Sequence, residues 1–377
     1  MKLPALIALI VLAHTAFSGG RVTLTLSAIR IGGTPFEVGV VVSLLALVPM
    51  LLSVHAGRWM DRSGVFRPTL LALLMLEAAL LLALVPTLAG LGAAAVLMGC
   101  GFMLIHLAVN NAVGHGSTAE NRTRAFSMLA LGGSASTVAG PVIAGFLIDL
   151  AGHAWTFLVL ASLPALALAL LGMLRPQGAP PPVPAQPGTR PRMGDLFRHA
   201  PLRAVLVVSA LLSMGWDLFT FVMPMHGDRI GLSASTIGLV MGAFGAGTFV
   251  VRLFIPWLSR LFSEWQVLAG ALALTALVYT VFPLFDAVAA LLALAFVLGL
   301  GLGSALPMIM SAIQQTAPPG RSGEAIGVRS MLINASQTAL PVGFGAVGSA
   351  VGTGVVFWAL AAMLGGGLVF IARQRDR

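Results

Sequence analysis

The sequence predicts an all-α membrane protein with twelve transmembrane helices in two pseudo-symmetric bundles of six. Three observations carry that prediction. Hydrophobic residues occupy 58% of the 377 positions and charged residues 9%, against about 25% charged in a soluble domain. Apolar runs of the ~20 residues needed to cross a bilayer core recur along the chain. The second half repeats the first at a nearly constant offset.

The expected spans lie near 4–29, 36–56, 68–87, 90–112, 125–149 and 154–174, then near 203–225, 234–258, 264–283, 287–313, 323–348 and 350–371. The first has only Lys2 as a basic flank and leads straight into further apolar segments. It therefore reads as a membrane helix and not as a removable leader. Between the sixth and seventh spans the chain runs Pro176-Gln177-Gly178-Ala179-Pro180-Pro181-Pro182 and continues rich in proline to Pro191. Such a run lacks the N–H donors that a helix requires. The expected organisation is an N-terminal six-helix bundle over 1–175, a cytoplasmic Pro-rich linker over 176–200 and a C-terminal six-helix bundle over 201–377.

The formal net charge is +9, and its distribution gives orientation. Of the 21 Lys and Arg residues only Lys2 is a lysine. With the N-terminus in the cytoplasm, seventeen of them fall on the inner side, Arg30 and Arg229 on the outer side, and Arg21 and Arg252 within spans. Basic residues concentrate on the cytoplasmic side of membrane proteins, so both termini are expected inside a cytoplasmic (inner) membrane. The arginines sit in short gaps between apolar runs and form no single soluble basic face, which excludes a nucleic-acid partner. The lone Cys100 rules out an intrachain disulfide or a cysteine-based metal site. No catalytic triad, metal cluster or nucleotide loop is present in the sequence, so no cofactor, metal or enzymatic activity is expected.

The internal repeat is strongest near 93–160, which aligns on 293–360 without a gap. It pairs Gly99 with Gly299, Pro141 with Pro341, Gly145 with Gly345, Gly152 with Gly352 and Phe157 with Phe357. An offset of 199 pairs Arg30-Ile31-Gly32 with Arg229-Ile230-Gly231, and Gly39 with Gly238. Six spans separate the repeats, so both start on the same side of the membrane. A parallel duplication of this kind places a site between the two halves.

The loop after the second span reads Gly57-Arg58-Trp59-Met60-Asp61-Arg62-Ser63-Gly64-Val65-Phe66-Arg67. Gly57 permits a close backbone approach, Asp61 suits the positive N-terminus of another helix, and Arg62 and Arg67 add donors. This loop resembles the major facilitator signature G-x-x-x-D-R-x-G-R, with Val65 where the family has arginine and Arg67 two positions on. The resemblance implies a latch of Gly57, Asp61, Arg62, Gly64 and Arg67, with Asp61 facing the start of helix 11 near Arg321 to Arg329. In the second half Arg260 stands where Asp61 would align, so only one half carries the full signature.

Helix 5 contains Ala139-Gly140-Pro141-Val142-Ile143-Ala144-Gly145. Its small residues suit close helix packing in lipid, and Pro141 suits a bend. Gly140, Pro141 and Gly145 are similar to the glycine-proline signature of many exporters of the superfamily. Helix 4 departs from the drug/proton antiporters: Ala93 to Met98 precede Gly99-Cys100-Gly101, with no arginine.

Charges at bilayer depth cost about 3 kcal/mol or more, which marks each as a functional candidate. Arg21, Glu77 and Asp217 fall near mid-depth and Arg252 nearer the cytoplasmic side. In the fold that the resemblance implies, helices 1, 4, 7 and 10 line a central cavity. Arg21 and Asp217 would then face each other, either as substrate anchor and proton carrier or as a static salt bridge. Glu77, on a helix that usually packs peripherally, suits a neutral structural role at least as well as proton handling. Met103, His106 and Asn110 share one face of helix 4, Asn334 and Gln337 pair on helix 11, and Trp216 and Phe219 flank Asp217 as stacking candidates. The resemblance implies a monomeric secondary transporter of a small organic molecule, moved by alternating access. Proton-coupled export is the first expectation and proton-coupled import of a small organic anion the alternative, with a non-transporting membrane sensor or membrane enzyme as the less favoured reading and the lipid bilayer as surroundings.

Overall fold

The computed structural model describes residues 3–116, 119–173, 199–318 and 322–375. They form twelve helices and no strand. The first four are α1 (Leu3–Arg30), α2 (Pro35–Ser63), α3 (Phe66–Leu82) and α4 (Leu88–Gly116). The helical run Ala119–Met173 is broken at Gly152, whose φ of 82° and ψ of 171° lie outside the helical region, giving α5 (119–151) and α6 (153–173). The second half contains α7 (Ala200–Arg229), α8 (Ala234–Leu261), α9 (Glu264–Val281), α10 (Val288–Thr316), α11 (Ser322–Val351) and α12 (Thr353–Arg375), with a 3₁₀ turn at Phe282–Leu284.

The helix ends follow local chemistry. Thr34 and Glu37 form a reciprocal capping box at the start of α2, and Ser263 and Gln266 form another at α9. Each satisfies donors that a helix start leaves free. The repeat seen in the sequence reappears in the backbone. Gly32 and Gly231 turn at φ 87° and 76°, and Gly152 and Gly352 at 82° and 90°. A side chain at these positions would be strained, which accounts for glycine at matched places in both halves. The expected spans match the helices except in α3, which ends at Leu82, before the turns leading to Pro86.

Nine helical stretches among the described residues are long and apolar enough to cross a membrane, and the α5–α6 run counts once among them. The exceptions are α3, only 17 residues long, and α11, which carries Arg329, Asn334, Ser336, Gln337 and Thr338. Leu70, Leu71 and Leu74 of α3, Leu166 of α6, Leu277 of α9 and Trp358 and Met363 of α12 are exposed. An apolar outer surface of this kind is suited to lipid.

Within the first half α1 packs along the α5–α6 run and α4 between α2 and α3; within the second, α10 packs along α8 and α9, and α12 along α9. The halves join through α5 against α8 and α2 against α11. These contacts are close. A Cβ on Gly145 would overlap the carbonyl of Ala234, and one on Gly238 that of Pro141. On the other flank a Cβ on Gly39 would overlap the Pro341 carbonyl, and one on Gly345 that of Pro35. All four sites lie toward the α1–α2 and α7–α8 turns, at the end away from the chain termini. Toward the termini, Gly57 and Gly327 have nothing among the described residues within 4 Å of where a Cβ would sit, and Trp59, Phe254 and Trp257 are exposed. The two halves are therefore held in close contact at the end away from the termini.

Candidate functional site

The seam between the halves gathers most of the polar residues picked out from the sequence. On α7, Asp217 is only 4% exposed. Its Oδ1 accepts a 3.1 Å hydrogen bond from Gln337 Nε2 of α11, and its Oδ2 has no partner among the described residues. Arg21 of α1 is half-buried, and its Nε also lacks a partner among the described residues. The two charges attract each other across the seam, yet no direct hydrogen bond or ion pair joins them among the described residues. The static salt bridge expected as an alternative is thus absent in this conformation. A buried charge without a close counter-ion is costly, so the arrangement keeps two charges that are each available to something else.

The first repeat shows what the site replaced. At Asp217's matched position stands Ser18, which donates to the Ser136 carbonyl of α5 at 3.1 Å. The same α1–α5 and α7–α11 crossings are thus polar in both halves, and only the second carries an acid.

Trp216 is half-buried and meets Phe244 of α8 edge-on, with ring centroids 4.7 Å apart. Phe219 corrects the sequence expectation. It is fully buried inside the second half against Phe244 and Phe282 and has no face for a substrate. Helix geometry explains this: at three residues from Trp216 and two from Asp217, Phe219 lies on the α8–α9 side of α7. Asn334 and Gln337 are both half-buried on α11.

On α4, His106 is exposed and Asn110 Nδ2 donates to the His106 carbonyl at 2.7 Å. His14 of α1 lies within electrostatic reach of both His106 and Arg252, the latter from the other half. The space that His106 faces is therefore in the seam. Phe102 joins the two imidazoles. It stacks on Phe17 at 4.1 Å and 12°, on His14 at 5.2 Å and 22°, and tilts toward His106 at 5.8 Å. His14 is also hydrogen-bonded to the Gly133 main chain. Arg252 Nη1 reaches across to α5, donating to the Ser134 hydroxyl and, at 3.4 Å, to the Ala130 carbonyl.

Glu77 is not brought to this group. It lies between α3 and α6, hydrogen-bonded to the Ala165 main chain, with Oε2 buried and unpartnered among the described residues. That is the peripheral placement in which a structural role was expected.

In the loop signature Gly64 closes α2 at φ 72°, its N–H donating to the Met60 carbonyl at 2.9 Å, and Arg67 is exposed. The side chains of Asp61 and Arg62, and residues 319–321 at the start of helix 11, lie outside the described residues. Gly57 has no atom of the described residues within 4 Å of where a Cβ would sit. Gly140 and Gly145 of the helix-5 signature instead work on two sides. A Cβ on Gly140 would overlap Ser18 of α1, and one on Gly145 would overlap α8. Pro141 supplies the carbonyl that Gly238 packs on.

The closely packed end holds a group that sequence reasoning missed. Asp149, in the last turn of α5, accepts from the Ala234 N–H at 3.1 Å and the Ser235 N–H at 2.8 Å. It therefore caps the free N–H groups that open α8. At the matched position Ser349 of α11 accepts from the Phe36 N–H of α2 at 3.2 Å. The offset of 200 that pairs 149 with 349 was visible; that both act across the seam was not. His14, Phe17 and Arg21 stand at i, i+3 and i+7, one face of a helix. That spacing was the available signal for His14.

The described residues contain no group of His, Cys, Asp and Glu suited to hold a metal. The Major Facilitator Superfamily model matches residues 6–285 and 205–377. A protein of Deinococcus radiodurans described as a sugar efflux transporter is 28% identical over 323 residues, covering 77% of this chain and 76% of its own. The class G tetracycline resistance protein of Vibrio anguillarum is 26% identical over 378 residues, covering 93% and 91%. Among solved structures, a peptide transporter of the POT type bound to sulfate aligns at TM-score 0.82 and 15% identity, over 100% of this chain and 94% of its own. The nucleoside transporter NupG aligns at 0.78 and 14%, over 98% and 100%. These structures share the fold. With the family match running across both halves, the chain belongs to the Major Facilitator Superfamily.

Proposed function

We propose that the protein is a secondary transporter that exports a small organic molecule across the cytoplasmic membrane, driven by protons and by alternating access. The observation that carries the reading is Asp217. It is a buried acid in the seam, steadied by Gln337 through one oxygen, with the other oxygen free and Arg21 opposite. A carboxylate that can lose its charge in place is suited to taking and releasing a proton while the halves rock. The efflux description of one curated relative and the resistance description of the other favour export. The halves 1–175 and 201–377 act as the two rocking bodies, joined by the linker 176–200. With both termini in the cytoplasm, the closely packed end of the seam lies outward.

The test uses purified protein in liposomes with an imposed pH gradient and a substrate found by thermal-stabilisation screening. The screen starts from tetracycline and simple sugars, because stabilisation reports binding. Asp217→Asn is expected to abolish gradient-driven accumulation and to keep substrate exchange at equal pH. Accumulation by Asp217→Asn that still follows the gradient removes Asp217 from coupling.

A further inference from the structure

The seam holds a second cluster that the proton role of Asp217 does not use. His14, Phe17 and Phe102 form a stacked strip that ends at His106, and Arg252 approaches it from the opposite half. His14 and Phe17 lie 7 and 4 residues before Arg21 on α1, so the strip sits on the terminus side of the charge pair. Counting about 1.5 Å per residue, His14 is roughly 10 Å along α1 from Arg21 toward the chain terminus. His106 is exposed, and His14, Phe17, Phe102 and Arg252 are half-buried, so the strip keeps accessible surface.

The electrical balance of this cluster is one-sided. Arg252 is met by a hydroxyl and a main-chain carbonyl. His106 is met by the Asn110 amide, and His14 by the Gly133 main chain. Among the described residues no carboxylate is hydrogen-bonded or ion-paired to any of the three. Asp217, the acid opposite Arg21, is engaged with Gln337. A guanidinium presents planar paired donors to a carboxylate, and an aromatic face offers stacking to a flat ring. An arginine within electrostatic reach of an aromatic strip with two imidazoles joins both features in one place.

We infer that this strip is the substrate site on the first half, and that it takes flat, conjugated organic anions, ring against Phe102 and acid group toward Arg252. The inference rests on the transporter reading and adds the substrate class to it. Because Arg252 comes from the half opposite to Phe102, such a ligand bridges the two bodies and is released from one of them when they part.

The probes are 2-naphthoate, its neutral isostere 2-naphthamide, and cyclohexanecarboxylate, which keeps the charge and lacks the ring. Binding to the full chain in lipid nanodiscs is measured by calorimetry. The expected result is naphthoate at least tenfold tighter than either control. Arg252→Gln is expected to weaken naphthoate at least tenfold and leave naphthamide unchanged, while Arg252→Lys keeps most of the preference for the anion. His14→Gln with His106→Gln weakens naphthoate severalfold. Thermal unfolding of each variant confirms that it is folded. Equal binding of naphthoate and naphthamide, no binding of naphthoate, or full naphthoate affinity in Arg252→Gln overturns the assignment. The transporter reading is checked apart from it. In a Cys100→Ala background, Met103→Cys is labelled by a membrane-impermeant thiol reagent from each side in turn. Labelling from both sides with no anion preference leaves a transporter with a different substrate; labelling from one side only under all conditions removes the transporter reading itself.

Discussion

At the scale of single residues, Arg21 and Asp217 set the electrostatics of the seam. Each keeps one polar atom unpartnered among the described residues, so neither is fully neutralised by its surroundings. Removing one leaves the other as a lone charge at depth. Arg21→Met is therefore expected to lower stability, and adding Asp217→Asn to restore part of the loss. The coupling between neighbouring charges is about 0.5–3 kcal/mol, measurable as non-additive shifts in the thermal midpoint of the two single variants and the double. Strict additivity would mean that the two do not sense each other. The pair was legible in the sequence because a charge inside an apolar run is conspicuous. His14 was not, since one histidine among Leu12, Ala13 and Ala16 reads as a packing residue until α4 brings Phe102 against it. Phe219 misled for the opposite reason: its neighbours in sequence were polar, but the turn of α7 carries it into the α8–α9 core.

At the scale of elements, the contacts between α5 and α8 and between α2 and α11 decide which end of the molecule is shut. Gly145→Leu or Gly238→Leu would drive a side chain into the facing main chain. Overpacking costs typically about 1–3 kcal/mol, and here it falls on the closed arrangement. Spin labels placed on exposed positions near Phe36 and Leu232 are expected to report a wider separation in either variant. Asp149→Ala acts on the same contact by removing a charged helix cap. Such a cap contributes about 1 kcal/mol, equivalent to roughly a fivefold change in the ratio of closed to open molecules. The same labels measure it, and an unchanged distance distribution would show that the cap carries no weight. The small residues of this interface were legible as repeats, because Gly39 matches Gly238 and Gly145 matches Gly345. Their partners were not, since an offset pairs a residue with its counterpart and says nothing about which carbonyl it meets.

At the scale of the whole molecule, twelve helices, their boundaries and the twofold repeat were legible because a bilayer imposes length and hydropathy on every span. The conformation was not, because the spans and the repeat are the same in any arrangement of the two halves. If the halves are separate bodies, covalent continuity through 176–200 is dispensable for assembly. Pieces 1–175 and 201–377 made in one cell are expected to co-purify as a one-to-one complex, with a thermal midpoint within a few degrees of the intact chain, the shift that about 1 kcal/mol gives in a protein larger than 150 residues. Failure to associate would show that the tether itself holds the halves together.

The rim of the closely packed end is fastened on two flanks, and the fasteners differ. On the α5–α8 flank an ionised acid grips two main-chain donors, while on the α2–α11 flank a hydroxyl grips one. Bonds to an ionised acceptor are about twice as strong as neutral ones. The rim is consequently a door with a stout hinge side and a weak catch side. The α2–α11 flank is therefore expected to give before the α5–α8 flank.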